Sequence, residues 1–321
     1  MKGLIRKETG IFVLLVVLCL VTALKEPRFL SAQNLVNTSR LIGLYGIFSI
    51  GAGLVIITGG IDLSVGSMFA LLGVLLAMWL SEKHWSPMLA IAAVLALGTA
   101  LGTFHAFLIT KLRMQPFIVT LCGLLFYRGM ARFIANDETK GFGGAQGFES
   151  LQKFATGSLF GLPMPVVILL VVSLIMGVLL HRSVWGRHLF AAGRNEEAAR
   201  YSGINTVRVI GSTYVIGGFL AAIAGILIAF YTNSISPSGH GNFYELYGIA
   251  AAVLGGCSLR GGEGSIVGIL LGTILLQVLR NLVIFLNIPS SLEFAVIGAV
   301  ILIGVLADQT LSRRAALRRT T

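Results

Sequence analysis

The amino-acid sequence predicts an all-α membrane protein with about ten transmembrane helices, some of them interrupted, and with both termini in the cytoplasm. Hydrophobic residues make up 56% of the 321 residues and charged residues only 12%, which is about half the charged fraction of a soluble domain. The apolar residues form runs of membrane-spanning length, and Lys and Arg gather in the gaps on one side. One soluble core cannot bury so much apolar surface, which excludes most soluble enzymes.

The spans follow from the thickness of the bilayer, whose apolar core of about 30 Å requires roughly 20 apolar residues in a helix. The first and the eighth of the predicted runs are short, so nine and eleven spans are the alternatives. The runs occupy residues 9–24, 41–58, 63–80, 88–110, 117–135, 163–181, 207–232, 245–258, 264–286 and 292–308. Together they predict one transmembrane domain over residues 1–321.

The positions of Lys and Arg predict the orientation. The net charge of +11 lies in short gaps and at the two ends, not on one amphipathic face, so it does not indicate nucleic-acid binding. Counted from a cytoplasmic N-terminus, most of these residues fall on the inner side, chiefly in loop 182–206 and in the tail Arg313–Arg319. The outer loop 136–162 holds few. The positive-inside rule therefore places both termini in the cytoplasm.

The first unusual stretch, Gly59-Gly60-Ile61-Asp62-Leu63-Ser64-Val65-Gly66, separates two apolar runs. Asp62 can cap the backbone N–H groups at the start of the next helix. Alternatively, the interrupted helices line a polar path, because lipid cannot satisfy freed backbone groups. We take Thr58, Asp62 and Ser64 as candidate path residues, and Gly59 and Gly60 as a candidate hinge.

The second stretch runs from Gly255 to Ser265 and contains two diglycine pairs. Gly255, Gly256, Gly261 and Gly262 are candidate hinge residues. No Lys follows a Gly-x-x-x-x-Gly pattern here, so the stretch is not a phosphate-binding loop. Gln277 and Asn281, in the following apolar run, are either path residues for a neutral solute or interhelical hydrogen-bonding groups.

The third stretch, residues 193–204, lies in the inner loop. Asn195 can cap a short helix whose first turn carries Glu196 and Glu197, and Gly203 can end it. Isolated helices below about 12–15 residues are marginal in water. The pattern therefore predicts a short helix that needs a docking surface, either a partner protein or the bilayer surface.

These stretches, in this order, resemble the ribose-type permeases of bacterial ABC importers, within the branched-chain amino acid/ribose permease superfamily. The resemblance covers essentially the full length. It rests on Gly59–Gly66, Pro116-Phe117-Ile118-Val119-Thr120-Leu121, Arg128-Gly129, Gly193–Ile204 and the run from Glu245 to Ser265. The sequence departs from the family pattern at Cys122-Gly123, Cys257 and Glu293.

The resemblance implies a transport permease without a catalytic centre, a metal or a cofactor of its own. Such a permease imports ribose or a related pentose or hexose in a bacterial inner membrane. It pairs with a second permease copy or a homologous permease, an external sugar-binding protein, and a cytoplasmic ATPase that binds the ATP. The ATPase would contact the short helix through Arg194, Asn195, Glu196, Glu197, Ala198, Ala199, Ser202 and Gly203. Glu245 would lie on the binding-protein side.

Three alternatives remain. A proton-coupled transporter would use Asp62, Glu245 or Glu293 as the proton carrier. An importer of a non-sugar solute, such as an autoinducer or inositol, would share the same architecture. A membrane enzyme is disfavoured, because the five histidines form no H-E-x-x-H motif or acid–base cluster.

Overall fold

The computed structural model describes residues 2–145 and 147–286, together with positions 288, 289, 292, 295, 296, 298, 299 and 302, and side chains from Thr9 onward. Within these residues nearly all regular structure is helical, which confirms the predicted all-α class. The helices are α1 (Lys2–Lys25), α2 (Ala32–Ile57), α3 (Val65–Ser81), α4 (Pro87–Thr110), α5 (Pro116–Ala135), α6 (Phe148–Thr156), α7 (Met164–Arg182), α8 (Val184–Arg194), α9 (Glu196–Tyr201), α10 (Thr206–Thr232), α11 (Tyr244–Leu254) and α12 (Ile266–Phe285). A 3₁₀ turn covers Pro27–Leu30.

In the part of the chain that the structure describes, four strands of two residues each connect the helices: β1 (Lys140–Gly141), β2 (Ser158–Leu159), β3 (Leu162–Pro163) and β4 (Ser234–Ile235). Strand β1 pairs antiparallel with β4, and β2 pairs antiparallel with β3. The first pairing joins two connections that lie far apart in the sequence.

In the described part of the chain, six helices are long and apolar enough to cross a membrane, namely α2, α4, α5, α7, α10 and α12. Residues 9–25 of α1, and helices α3 and α11, are shorter apolar helices. Together these helices overlap the first nine predicted runs, although α2 begins at Ala32, ahead of run 41–58, and α11 ends at Leu254, before the end of run 245–258. Most of the tenth, 292–308, lies outside the described residues, as do Glu293 and the tail Arg313–Arg319. The count of ten and the cytoplasmic termini therefore stay predictions.

Helices α2 and α10 form the buried centre, whereas α4, α5 and α7 keep most of their surface exposed. The α10–α4 contact is made at the backbone, because a Cβ atom at Gly218 would meet the carbonyl oxygen of Gly98 and the backbone of Gly102. In lipid the hydrophobic effect does not drive helices together, so close packing of this kind stabilises their association. The exposed apolar side chains on the outer helices form a surface that a bilayer would cover.

The bundle has two distinct ends. At the first, which we call the strand end, β1 pairs with β4, Lys140 Nζ lies 3.1 Å from Glu82 Oε1, and Ser81 Oγ donates to the Gly141 carbonyl at 2.9 Å. The opposite end, which we call the short-helix end, carries α8 and α9. Segment 136–162 belongs to the strand end, and segment 182–206 belongs to the short-helix end.

Candidate functional site

The connection between α2 and α3 is a tight, buried break. Ser64 donates to Asp62 Oδ1 from its backbone N–H at 2.9 Å and from its hydroxyl at 2.6 Å. Asp62 is 5% exposed and Ser64 is fully buried. Thr58 turns back on α2, since its hydroxyl donates to the Val55 carbonyl at 2.7 Å. The carboxylate of Asp62 thus satisfies the backbone of the break itself, just before α3 begins.

Buried polar side chains from α4, α5 and α10 surround this break. Tyr127 Oη and His105 Nε2 are 2.8 Å apart, and the Thr120 hydroxyl donates to the Ile61 carbonyl at 3.2 Å. His105 Nδ1 and Tyr214 Oη are buried without a hydrogen-bond partner among the described residues. We call this group of Asp62, Ser64, Thr120, His105, Tyr127 and Tyr214 the polar cluster.

Sequence reasoning missed most of the polar cluster. Thr120 entered only as part of a family motif, and His105 entered only as one of five histidines without an enzyme pattern. The available signal was a His or Tyr inside an apolar run, because polar groups are costly there unless they are partnered or functional.

A junction of glycine backbones joins two breaks, the one between α2 and α3 and the one between α11 and α12, to the end of α8. The Gly262 N–H donates to the Ile57 carbonyl at 2.8 Å. A Cβ atom on Gly193 would overlap the same carbonyl, and one on Gly261 would overlap the Gly193 carbonyl and lie 3.0 Å from Gly59 N. We call Gly59, Gly193, Gly261 and Gly262 the glycine junction. It brings three of the predicted hinge residues together with one that had not been singled out as a hinge.

The other candidate hinge glycines serve packing or turn geometry. Gly60 lies against the Tyr214 hydroxyl, and Gly255 packs against the backbone of Gly268 in α12. Gly256 has a φ of +92°, a backbone conformation that favours glycine.

Helix α9 is short, capped and exposed. Asn195 Oδ1 accepts a hydrogen bond from the Ala198 N–H at 2.9 Å, and Gly203 follows the helix with a φ of +83°. Glu196 accepts hydrogen bonds from Arg200 at 2.8 Å and from the Thr206 hydroxyl at 3.1 Å. These contacts fasten α9 to the start of α10.

The candidate coupling residues do not all face outward. Arg194, Asn195, Glu196, Glu197, Ala198, Ser202 and Gly203 are exposed, whereas Ala199 is buried. Sequence reasoning did not single out Tyr201, which is 92% exposed at the end of α9. Tyr is one of the residue types enriched at the energetic centres of protein interfaces.

A cavity of about 930 Å³ opens between α9, the α2–α3 break, the α4–α5 turn and the first turns of α10. Its wall includes Thr58, Gly59, Gly60, Glu196, Glu197 and Tyr214. The α4–α5 turn contributes Lys111, Arg113 and Gln115. The cavity therefore extends from the short-helix end to the side of the α2–α3 break that faces this end.

Gln277 and Asn281 do not line this cavity. Asn281 Nδ2 donates to Asn34 Oδ1 at 3.0 Å and to Thr38 Oγ1 at 2.6 Å, which ties α12 to the first turns of α2. Gln277 is 3% exposed, and its Oε1 has no hydrogen-bond partner among the described residues. The hydrogen bonds of Asn281 are therefore interhelical.

Glu245, 8% exposed in the first turn of α11, faces the start of α3. A Cβ atom on Gly66 would meet the Glu245 carboxylate. The described residues contain no group of three or more His, Cys, Asp or Glu side chains that could hold a metal ion. The break between α2 and α3 is therefore buried and polar, and the cavity lies on its short-helix side.

A comparison with known families decides what this arrangement belongs to. The family described as branched-chain amino acid transport system / permease component matches residues 34–305. The chain belongs to this permease family. It is a multi-pass membrane protein and a transport permease, not an enzyme.

Several relatives of this permease match over most of their length. A ribose import permease protein of Bacillus subtilis (strain 168) is 38% identical over 306 residues, which cover 95% of this chain and 94% of the relative. A fructose import permease protein of Bifidobacterium longum (strain NCC 2705) is 34% identical, covering 91% and 84%. An autoinducer 2 import system permease protein of Klebsiella pneumoniae is 32% identical, covering 100% and 96%. No solved structure matches this permease.

Proposed function

We propose that this permease is the membrane subunit of an ATP-driven importer that takes up a monosaccharide, ribose or a related pentose or hexose, in a bacterial inner membrane. The observation that carries the proposal is the position of α9. It is an exposed, capped helix that borders the cavity and begins three residues after Gly193 of the glycine junction. A partner that moves α9 would therefore act on both helix breaks.

The short-helix end is the cytoplasmic end in this proposal. Lys111, Arg113, Arg194 and Arg200 all lie there, in agreement with the positive-inside rule. An ATPase subunit binds the ATP and contacts α9 from this side. Charge complementarity comes from Glu197 and Arg194, and Tyr201 supplies an aromatic anchor. A second permease copy or a homologous permease completes the transporter.

The strand end faces the external binding protein, which delivers the solute. Thr58 lies in the wall of the cavity, and Asp62 and Ser64 lie between the cavity and the strand end. Their hydroxyl and carboxylate oxygens suit a neutral polyhydroxylated solute. The relatives named for ribose and fructose import favour a sugar. The relative named for autoinducer 2 import makes a non-sugar solute the second candidate.

The test is uptake into liposomes that contain the permease with its ATPase and its binding protein. We expect ribose uptake that requires ATP and the binding protein and continues without a proton gradient. Uptake rates of fructose and autoinducer 2, measured in parallel, show which solute the permease prefers. Uptake that follows a proton gradient without ATP would contradict the proposal and favour the carrier that uses Asp62, Glu245 or Glu293.

A further inference from the structure

Residues 236–243, between β4 and α11, enter the bundle from the strand end, and we call them the gate segment. The Ile235 side chain lies beside Gly73 in the middle of α3, where a Cβ atom would be 3.2 Å from it. Gly241 packs against Gly66 in the first turn of α3. Seven helical residues separate these two contacts, so the gate segment reaches about 10 Å deeper than β4.

The contact between Gly66 and Gly241 is made directly between backbones. A Cβ atom on either residue would overlap the carbonyl oxygen of the other. Gly241 has a φ of +72°, a backbone conformation that favours glycine. The gate segment therefore leaves no gap at the point where it meets α3.

One side chain of α5 holds the gate segment in this position. Arg128 Nη1 donates to the Pro237 carbonyl at 3.0 Å and to the His240 carbonyl at 2.7 Å. Arg128 Nη2 donates to the Gly66 carbonyl at 3.5 Å. A single guanidinium thus bonds the gate segment and the start of α3 together, and its planar fork can reach several acceptors at once.

The site of this contact matters because Gly66 follows the Asp62–Ser64 break by half a turn. From the short-helix end, the cavity reaches the other side of that break at Thr58 and Gly60. The break is consequently open toward the short-helix end and covered by the gate segment toward the strand end. That is the arrangement of a path closed on the delivery side.

We propose that residues 236–243 are the delivery-side gate of the transport path and that Arg128 is the positioning residue that latches it shut. The proposal rests on the proposed importer function and names the part that controls solute entry. When the binding protein docks at the strand end, the gate segment moves away from Gly66. The hydrogen bonds from the Arg128 guanidinium to the carbonyls of Pro237, His240 and Gly66 then break. Because the closed and open states are in equilibrium, loss of the latch raises the open fraction.

The first experiment measures passive leak. Liposomes containing the permease and its ATPase are preloaded with labelled ribose, without ATP and without binding protein. We expect Arg128→Ala to raise the leak rate by about tenfold, which corresponds to about 1.4 kcal/mol of lost closed-state stability. Arg128→Lys restores part of the barrier, because an ammonium keeps the charge but not the fork.

The matched control is Arg132→Ala, one turn further along α5. Arg132 is exposed and pairs locally with Asp137 at 2.7 Å, so its removal leaves the gate segment in place. We expect a wild-type leak rate from this variant. Equal leak from Arg128→Ala and Arg132→Ala, in preparations of equal thermal stability, would overturn the latch.

A second readout is independent of the solute. In a background without Cys19, Cys122 and Cys257, a Ser67→Cys thiol reports on the first turn of α3, where Ser67 is 1% exposed. A membrane-impermeant thiol reagent is added from the strand end. We expect Arg128→Ala to increase the labelling rate by about tenfold, and Arg128→Gln serves if the alanine variant does not insert.

The two readouts separate the proposals. If the wild-type complex does not take up ribose but labelling rises with loss of Arg128, the sugar assignment fails and the gate stands. If ribose uptake is normal but labelling of Ser67→Cys is unchanged in the Arg128 variants, the gate is overturned and the importer function stands.

Discussion

The backbone N–H of Gly262 donates a 2.8 Å hydrogen bond to the carbonyl of Ile57, and so fastens the turn after α11 to the last residue of α2. Gly193, two residues before the cap of α9, lies against both partners. At these residues the three segments meet through backbone atoms, and a backbone contact cannot adjust as side-chain rotamers can. We therefore expect a displacement of α9 to move the α2–α3 break and the α11–α12 break with it.

Gly193→Ala tests this junction. The added methyl group overlaps the Ile57 carbonyl, and overpacking of this kind costs about 1–3 kcal/mol. We expect ATP-driven uptake to fall by about tenfold while the permease still inserts and binds its ATPase. Gly177→Ala in α7, where a Cβ atom meets nothing within 4 Å, is the control. Equal uptake by the two variants would show that the junction is only a site of close packing.

Asp62→Ala should reduce both stability and uptake. The substitution leaves the buried N–H and hydroxyl of Ser64 without their acceptor, which costs about 1–3 kcal/mol. Asp62→Asn keeps an acceptor oxygen and should retain the fold, as measured by thermal unfolding in detergent. If the asparagine variant is stable but inactive, the charge of Asp62 acts in the path. Asp137→Ala, at an exposed acid, is the control, and normal uptake by Asp62→Ala would contradict both roles.

The coupling role of α9 is tested by charge reversal. Glu196 also bonds Arg200 and Thr206, so Glu196→Lys disturbs the helix itself. Glu197 is exposed, and Glu197→Lys isolates the effect on docking. We expect the double reversal, or a bulky residue at Gly203, to uncouple ATP hydrolysis from uptake. Co-purification of the ATPase and uptake in liposomes are the measurements, and full retention of both would leave α9 as a membrane-surface helix.

Tyr201→Ala should weaken ATPase binding without disturbing the permease. Aromatic anchors at protein interfaces contribute about 2 kcal/mol or more, or roughly 30-fold in affinity. Phe160→Ala is the matched control, because Phe160 is 97% exposed at the strand end, away from the ATPase. The affinity of the purified ATPase for each variant in nanodiscs is the measurement. Unchanged affinity of Tyr201→Ala would exclude this side chain from the interface.

Asn281→Ala should lower stability and spare transport. Its side chain bonds Asn34 and Thr38, and interhelical hydrogen bonds in membranes contribute about 0.6 kcal/mol on average. Gln277→Leu should not destabilise, because Gln277 Oε1 is buried without a partner among the described residues. Thermal unfolding in detergent and ribose uptake are the measurements. Loss of uptake by a stable Asn281→Ala protein would return this residue to the path.

The sequence by itself determined the all-α class, the places where the helices break and the capped start of α9. These features depend on local rules. Hydropathy over about 20 residues defines a span, and an Asx side chain caps the backbone a few positions away. For the same reason Asp62 and Asn195 could be singled out without a structure.

Only the tertiary structure decided which residues share a site. His105, Tyr127 and Tyr214 come from three different helices, and Arg128 reaches a segment more than a hundred residues away. Likewise, Gly193 acquired its role only because it meets Ile57 and Gly262. The contacts of a helix depend on which of its faces meets a neighbour and at what depth, and a nearly uniform apolar sequence carries little periodicity to specify either.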